Sequence, residues 1–245
     1  QLIFKFKKKY KSTILPVDSE HFSIMELTKD ISNNEIEEIF ITASGGPFLN
    51  ISNKKLKNIN VKQATNHPNW KMGKKISIDS ATMMNKGLEI IEAHFLFAMP
   101  EDKIDVVVHP QSIIHSLVAY KDGSFLAQLG SPDMITPIAY SLAWPKRMAI
   151  PKSPLDLQNL SALTFEAPDT VRFPALNLAR ESIRSLGNSN LVLNTANEIA
   201  VQGFLSRQIK FTDIIPFIKN VLDKEHGEKP TSVDEVLLMD RAIRR

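Results

Sequence analysis

The stretch KKISIDSATMMNKGLE, Lys74 to Glu89, decides how this chain is read. Ile76 to Asp79 alternates apolar and polar residues as a strand does, while Ser80 to Phe97 has the apolar spacing of a helix. A strand that turns straight into a helix carrying Ser, Asn, Lys and Glu in its first turns can hold a phosphate beside a metal ion. The free N–H groups and positive dipole end of a helix start attract anions. Ser80 falls at the N-cap of that expected helix, where its hydroxyl either satisfies the first free N–H groups or binds an anion. Asn85, Lys86 and Glu89 share one helix face. That face is either an exposed stripe with a helix salt bridge or, given Met83, Met84, Leu88, Ile90 and Ile91 around it, the wall of a cleft.

Upstream, the spacing in ILPVDSE, Ile14 to Glu20, predicts a buried strand ending in an acidic pair. Side chains two apart in a strand point the same way, so Asp18 and Glu20 can either grip one cation or form an ordinary solvated pair. A polar helical stretch to Asn34 follows, then a buried strand, Glu38 to Ala43, stopped by Ser44, Gly45, Gly46 and Pro47. Ser44 there marks a tight turn or a backbone loop open to phosphate oxygens. His67 to Lys75 reads as a loop, and its His67 and Trp70 could close over a ligand as a lid or pack as surface residues.

Downstream, strands are expected at Ile104 to Val108, Ile113 to Tyr120 and Phe125 to Leu129, the last two joined as a hairpin through Asp122 and Gly123. Pro145 to Pro168 is a connector with little periodicity. Four amphipathic patterns then predict helices: Ala175 to Leu186 closed by Gly187, Asn194 to Ser206, Thr212 to Glu225, and Val233 to Arg245. The expected fold class is α+β, a mixed sheet backed by helices and followed by a small C-terminal helical bundle. The expected divisions are 1–13, the end of an upstream helix or linker, then 14–144, the mixed-sheet domain that carries the candidate site residues, 145–169, a connector, and 170–245, the helical domain.

With 245 residues and 43% hydrophobic content, the chain can bury a proper core. Zero cysteines exclude disulfides and thiolate metal sites, so oxygen or imidazole must hold any metal, which favours a hard divalent cation. The net charge of +3 is spread over many lysines. The densest cluster, KFKKKYK at Lys5 to Lys11, reads as a solvated helix end rather than a nucleic-acid arm, since no aromatic platform accompanies it. Gln1 to Ser12 has the spacing of an amphipathic helix with no N-cap before it, so the true start is expected upstream. No apolar run approaches the roughly twenty residues that cross a bilayer, and no signal pattern is visible. A soluble intracellular protein with no membrane or nucleic-acid partner is expected.

Taken together and in order, LPVDSEH (Leu15 to His21), SGGPF (Ser44 to Phe48), HPNWKMGKKISIDSATMMNKGLE (His67 to Glu89), HPQSIIHS (His109 to Ser116) and QLGSPDM (Gln128 to Met134) closely resemble the 1-deoxy-D-xylulose 5-phosphate reductoisomerase family. The resemblance runs from about Ile14 to the C-terminus and is looser in the helical tail, which includes LNTANEIAV, Leu193 to Val201. It implies that Asp18, Glu20 and Glu89 ligate magnesium or manganese, with cobalt a further option, and that Trp70 is the lid residue counted with them among the catalytic groups. It implies that Ser19 touches the substrate's backbone hydroxyls, that Ser44, His67, Ser80, Asn85 and Lys86 hold the phosphate, and that Gly73 contacts NADPH.

The implied reaction rearranges a sugar phosphate by retro-aldol cleavage and re-aldol joining, then reduces the aldehyde with NADPH. A homodimer built through the sheet is implied, in a bacterial cytoplasm or a plastid-type organelle. No GxGxxG-like pattern occurs, so the resemblance covers the catalytic and C-terminal portions without the family's nucleotide-binding domain. The alternatives are a non-catalytic metal- and phosphate-binding dimerisation module, inactive without that domain, and a metal-dependent aldolase or isomerase that needs no nicotinamide.

Overall fold

The computed structural model describes residues 2–151, 154–160, 162–185 and 187–245. In chain order the elements are helix α1 (Leu2–Tyr10), α2 (Ser19–Leu27), strand β1 (Ile36–Ala43), the short helices α3 (Asn53–Leu56) and α4 (Val61–Ala64), α5 (Lys74–Thr82), α6 (Met84–Leu96), β2 (Ile104–Val108), β3 (Ile114–Tyr120), β4 (Phe125–Leu129) and α7 (Ile135–Ala143). The chain then runs through α8 (Ala175–Arg184), α9 (Ser189–Leu205), α10 (Ile214–Leu222) and α11 (Val233–Ile243).

The four strands form one mixed sheet in the order β2-β1-β3-β4, so the expected α+β class holds. β1 and β2 are parallel, which requires a crossover, and the segment holding α5 and α6 supplies it. β3 runs antiparallel to β1 and to β4, and the β3–β4 hairpin turns through Gly123, with Asp122 accepting from Ser124 N at 2.9 Å. On one face, Ile39, Ile41 and Ala43 of β1 stand in register with Ile104, Val106 and Val108 of β2, and all six are buried. Ile90 and Ile91 of α6 join that apolar cluster. Helix α2 lies over β3, where Tyr120 Oη donates to Leu27 O at 2.6 Å and Ser116 Oγ to Glu20 O at 3.0 Å.

Two expected strands are helical or irregular instead. Ile76 to Asp79 lies inside α5, although its apolar–polar alternation mimics a strand. Ser77 Oγ donates to Gly73 O at 2.9 Å and Thr82 Oγ1 to Ile78 O at 3.1 Å, both i−4 bonds that only a helix allows. Ser77, Ile78 and Asp79 are buried together, so tertiary contacts override the strand preference of the isoleucines. Residues 14–17 form no strand; they lead irregularly into α2. α7 was not expected from the sequence, and its exposed Ile135, Ile138 and Leu142 blur the periodicity that would mark it.

The four C-terminal helices are present, with α9 extended to Ser189–Leu205 and α10 shortened to Ile214–Leu222. Leu186, the expected end of α8, lies outside the described residues, as do Gln1 and three residues of the expected connector. Among the described residues a single hydrophobic cluster runs from β1 and α6 into α8, α9 and α10. α8 crosses α6 at Gly87, where an added Cβ would lie 3.0 Å from Ala179 Cβ and 3.2 Å from Ala175 O. A branched side chain cannot fit between the two helices. Gly87→Val is therefore expected to lower stability by about 1–3 kcal/mol through overpacking, read as a lower urea midpoint with an unchanged slope.

Candidate active site

The irregular entry to α2 places the first acidic group. Asp18 has φ −53° and ψ 137°, caps the helix, and accepts from Glu20 N at 3.1 Å and His21 N at 3.2 Å. Asp18 and Glu20 thus meet through a helix start and not through strand alternation. The second acidic contribution comes from α6. Between α5 and α6, Met83 adopts φ +63°, which ends one helix and lets the next begin in a new direction. Ser80 consequently sits in the last turn of α5 and is no N-cap; the helix start falls one turn later, and Asn85 and Lys86 lie in its first turn.

The two helices meet through charge. Lys86 Nζ donates to both Glu89 carboxylate oxygens at 2.8 Å and to Glu20 Oε1, while Asn85 Nδ2 donates to Glu89 Oε1. His21, buried, donates from Nε2 to the Glu89 carbonyl at 3.1 Å and ties the helix backbones together. Asp18, Glu20 and Glu89 each offer an oxygen, and these oxygens lie within 4.8 Å of one another. These are the three residues that the family resemblance implied as metal ligands.

Electrostatics follow from burial. Burial pushes the Glu20 carboxyl up, but the Lys86 ammonium outweighs it and holds Glu20 at about 2. Burial raises Glu89 well above the usual carboxylate range, and the neighbouring Glu20 charge adds to the rise. Burial and Glu20 also raise Asp18. Three carboxylates face one ammonium, and the donor set is all hard oxygen, so the residues fit a divalent cation of the magnesium or manganese kind.

A cavity of about 260 Å³ opens beside the cluster. Asp18, Ser19, Glu20, Ser44, His67, Trp70, Ser80, Asn85, Lys86 and Glu89 all line it. Gly73 does not; it precedes α5 on the exposed side of the loop, with open space around the position of an added Cβ. At the end away from Asp18, His67 Nδ1 accepts from Asn69 N at 3.1 Å and Trp70 N at 3.0 Å. The ring proton is therefore on Nε2, which donates to Ser44 Oγ at 2.9 Å. Burial, with Lys86 nearby, lowers the His67 pKa and keeps the ring neutral. Gly46, at φ +69°, brings its backbone so close to α5 that an added Cβ would lie 2.7 Å from Ser80 O. The Ser44–Gly46 turn and Ser80 thus form one wall.

Models for the DXP reductoisomerase C-terminal domain match residues 14–97 and residues 129–245. The chain is 52% identical over 244 residues to the 1-deoxy-D-xylulose 5-phosphate reductoisomerase of Pelodictyon phaeoclathratiforme, covering 100% of this chain and 64% of that protein. The chain belongs to the 1-deoxy-D-xylulose 5-phosphate reductoisomerase family. The Zymomonas mobilis reductoisomerase is 51% identical over 97% of this chain, which spans 61% of that relative. Its solved structure in complex with NADPH superimposes with a TM-score of 0.92 at 48% identity, over 99% of this chain and 62% of that one. A reductoisomerase in complex with NADPH, fosmidomycin and magnesium matches equally, with a TM-score of 0.92, 48% identity, 99% of this chain and 64% of that one. The chain therefore spans less than two thirds of the length of these reductoisomerases.

Sequence reasoning quoted HPQSIIHS and QLGSPDM as reductoisomerase segments but assigned no site residue there. The structure brings Ser112, His115 and Met134 from them into the cavity wall. His115 is buried, its ring 6.4 Å from Trp70 in an edge arrangement, and burial lowers its pKa against the pull of Glu20. Ser112 has φ +53°, rare for serine, and its Oγ accepts from Asn69 of the 67–73 loop at 3.1 Å. A polar residue in an apolar strand, as at His115, was the available signal.

The raised Glu89 pKa has a stability consequence in metal-free protein. Its folded value lies above the unfolded 4.5, so the contribution is fully present below that value and is lost as pH rises through the folded pKa. Glu89→Gln removes the buried charge. In chelator-treated protein the variant is expected to melt at an increasingly higher temperature than wild type as pH rises, and the difference is expected to vanish at acid pH, as followed by thermal unfolding across pH.

Proposed function

We propose that this chain carries the metal and substrate-phosphate sites of an NADPH-dependent reductoisomerase converting 1-deoxy-D-xylulose 5-phosphate to 2-C-methyl-D-erythritol 4-phosphate, a step of non-mevalonate isoprenoid biosynthesis. The observation that carries the proposal is the convergence of Asp18, Glu20 and Glu89 beside Lys86 in a cavity walled by Ser44, Ser80 and His67. Asp18, Glu20 and Glu89 would hold magnesium or manganese, which when bound supplies Lewis-acid polarisation of the substrate's carbonyl and hydroxyl oxygens. NADPH supplies the hydride, and Gly73, open on its exposed side, is the position in this chain assigned to border it.

The chain's own residues bind and orient. Ser19, buried next to Glu20, offers a hydroxyl to the substrate's hydroxyl groups. Lys86 supplies a full charge toward the phosphate, while Ser44, Ser80, Asn85 and the Nε2–H of His67 supply directed donors. Phosphate binding is remote from the bond changes, so its energy can fix the reacting end. Trp70, its ring edge-on to His115 in the cavity wall, would close over the ligand and exclude water. The bacterial relatives support a cytoplasmic setting.

In the intact protein, oxidation of NADPH is expected only when the sugar phosphate and a divalent metal are both supplied; cofactor-independent product formation would point instead to an aldolase or isomerase. Glu89→Gln removes one of three ligating carboxylates and is expected to weaken manganese binding about 10- to 100-fold in a calorimetric titration. Unchanged affinity would remove Glu89 from the metal site.

The same reading includes a homodimer through the sheet. β4 is an edge strand, yet Phe125, Leu126 and Leu129 on it are exposed, an arrangement that needs cover in solution. Phe125→Asp in the intact protein is expected to shift the sedimentation profile from dimer toward monomer, and a wild type that sediments as a monomer would defeat this part of the proposal.

A further inference from the structure

Asp79 is buried in α5, immediately before Ser80, and its carboxylate is held from two sides. Lys75 Nζ on the same helix lies 2.6 Å from Oδ2, and Asn197 Nδ2 on α9 donates to Oδ1 at 2.9 Å. Asn197 is itself fully buried, and its Oδ1 has no hydrogen-bond partner among the described residues. An amide with half its capacity unmet is a poor stabiliser, so the value of this contact lies in its geometry. Opposite it, the Gly46 backbone rests against Ser80 O. The last turn of α5 is therefore fixed between the Ser44–Gly46 turn on one side and α9 on the other.

We propose that Asn197 is a positioning residue for the phosphate side of the cavity, acting through Asp79 to hold Ser80 against the Ser44–Gly46 turn. The C-terminal helices then set the spacing of donors more than a hundred residues earlier in the chain. This rests on the reading of Ser44 and Ser80 as phosphate-binding groups. A loosened α5 leaves the carboxylates on α2 and α6 where they are, because Met83 separates the two helices and Glu89 is tied to α2 through Lys86 and His21. Phosphate affinity falls while metal affinity stays.

The test uses the intact full-length protein, with Asn197→Ala and a control, Thr195→Ala. Thr195 is equally buried on α9 but donates to Asp240 at 2.8 Å, toward α11 and away from α5. Asn197→Ala is expected to raise both the KM for the sugar phosphate and the dissociation constant for inorganic phosphate about tenfold, with kcat and manganese affinity nearly unchanged. Thr195→Ala is expected to leave all four near wild type. The exchange Asp79→Asn with Asn197→Asp reverses donor and acceptor, is expected to restore phosphate affinity, and carries the test alone if Asn197→Ala fails to fold. Folded Asn197→Ala with wild-type phosphate affinity, equal loss in Thr195→Ala, or an exchange variant as weak as Asn197→Ala would each overturn the role of Asn197. Wild type that neither turns over the sugar phosphate nor binds phosphate would instead overturn the reading of the site.

Discussion

A buried ammonium set among carboxylates is the constraint around which this fold is arranged. Lys86 donates to Glu20 and to both oxygens of Glu89, and an ionised carboxylate taken from water without such a partner costs several kcal/mol. Asp18 is served differently, by the N–H groups that a helix start leaves free. Satisfying all three at once requires the beginning of α2 and the polar face of α6 to lie within hydrogen-bond reach. The sheet order makes this possible: β3, beside β1, carries α2 through Ser116 and Tyr120, while the parallel β1–β2 pair forces the crossover that contains α6. His21 closes the arrangement by bonding the backbone of Glu89 itself.

Much of this was legible from one-dimensional spacing, and the reason is local. Asn85, Lys86 and Glu89 sit three and four apart, and any helix puts them on one face whatever surrounds it. Ser44 before two glycines signalled a turn because positive φ is cheap only at glycine, and both Gly45 and Gly46 adopt it. What failed was whatever tertiary contacts decide. ISID at Ile76 to Asp79 has a strand's alternation, yet all but Ile76 of it is buried in a helix packed on α9, with Asp79 bonded to a residue 118 positions later. Asp18 and Glu20 do lie together, but a helix cap and not the expected strand brings them there. His115 escaped assignment because a single histidine in an apolar strand is more often a core residue; the fold brings it to the cavity wall, its ring 6.4 Å from Trp70.

The cavity has two electrostatic ends, and their difference limits what can occupy it. One end is all acceptor: Asp18, Glu20 and Glu89, with burial raising Asp18 and Glu89 and the Lys86 ammonium beside them as an offset. The other is mostly donor: the Nε2–H of neutral His67, the hydroxyls of Ser44 and Ser80, and Lys86 at the junction. A ligand anionic at both ends is repelled by the carboxylates, and one neutral at both ends leaves the donors unmet. A dianion at one end with hydroxyl and carbonyl oxygens at the other matches both, provided a hard cation stands between the carboxylates and those oxygens. The position of Lys86 then makes the two ends interdependent, because its ammonium can balance Glu20 and Glu89 or an incoming phosphate, and neutralising the carboxylates with a cation frees it for the second task. On the proposed reading of the site, metal and phosphate binding therefore favour one another through a single side chain.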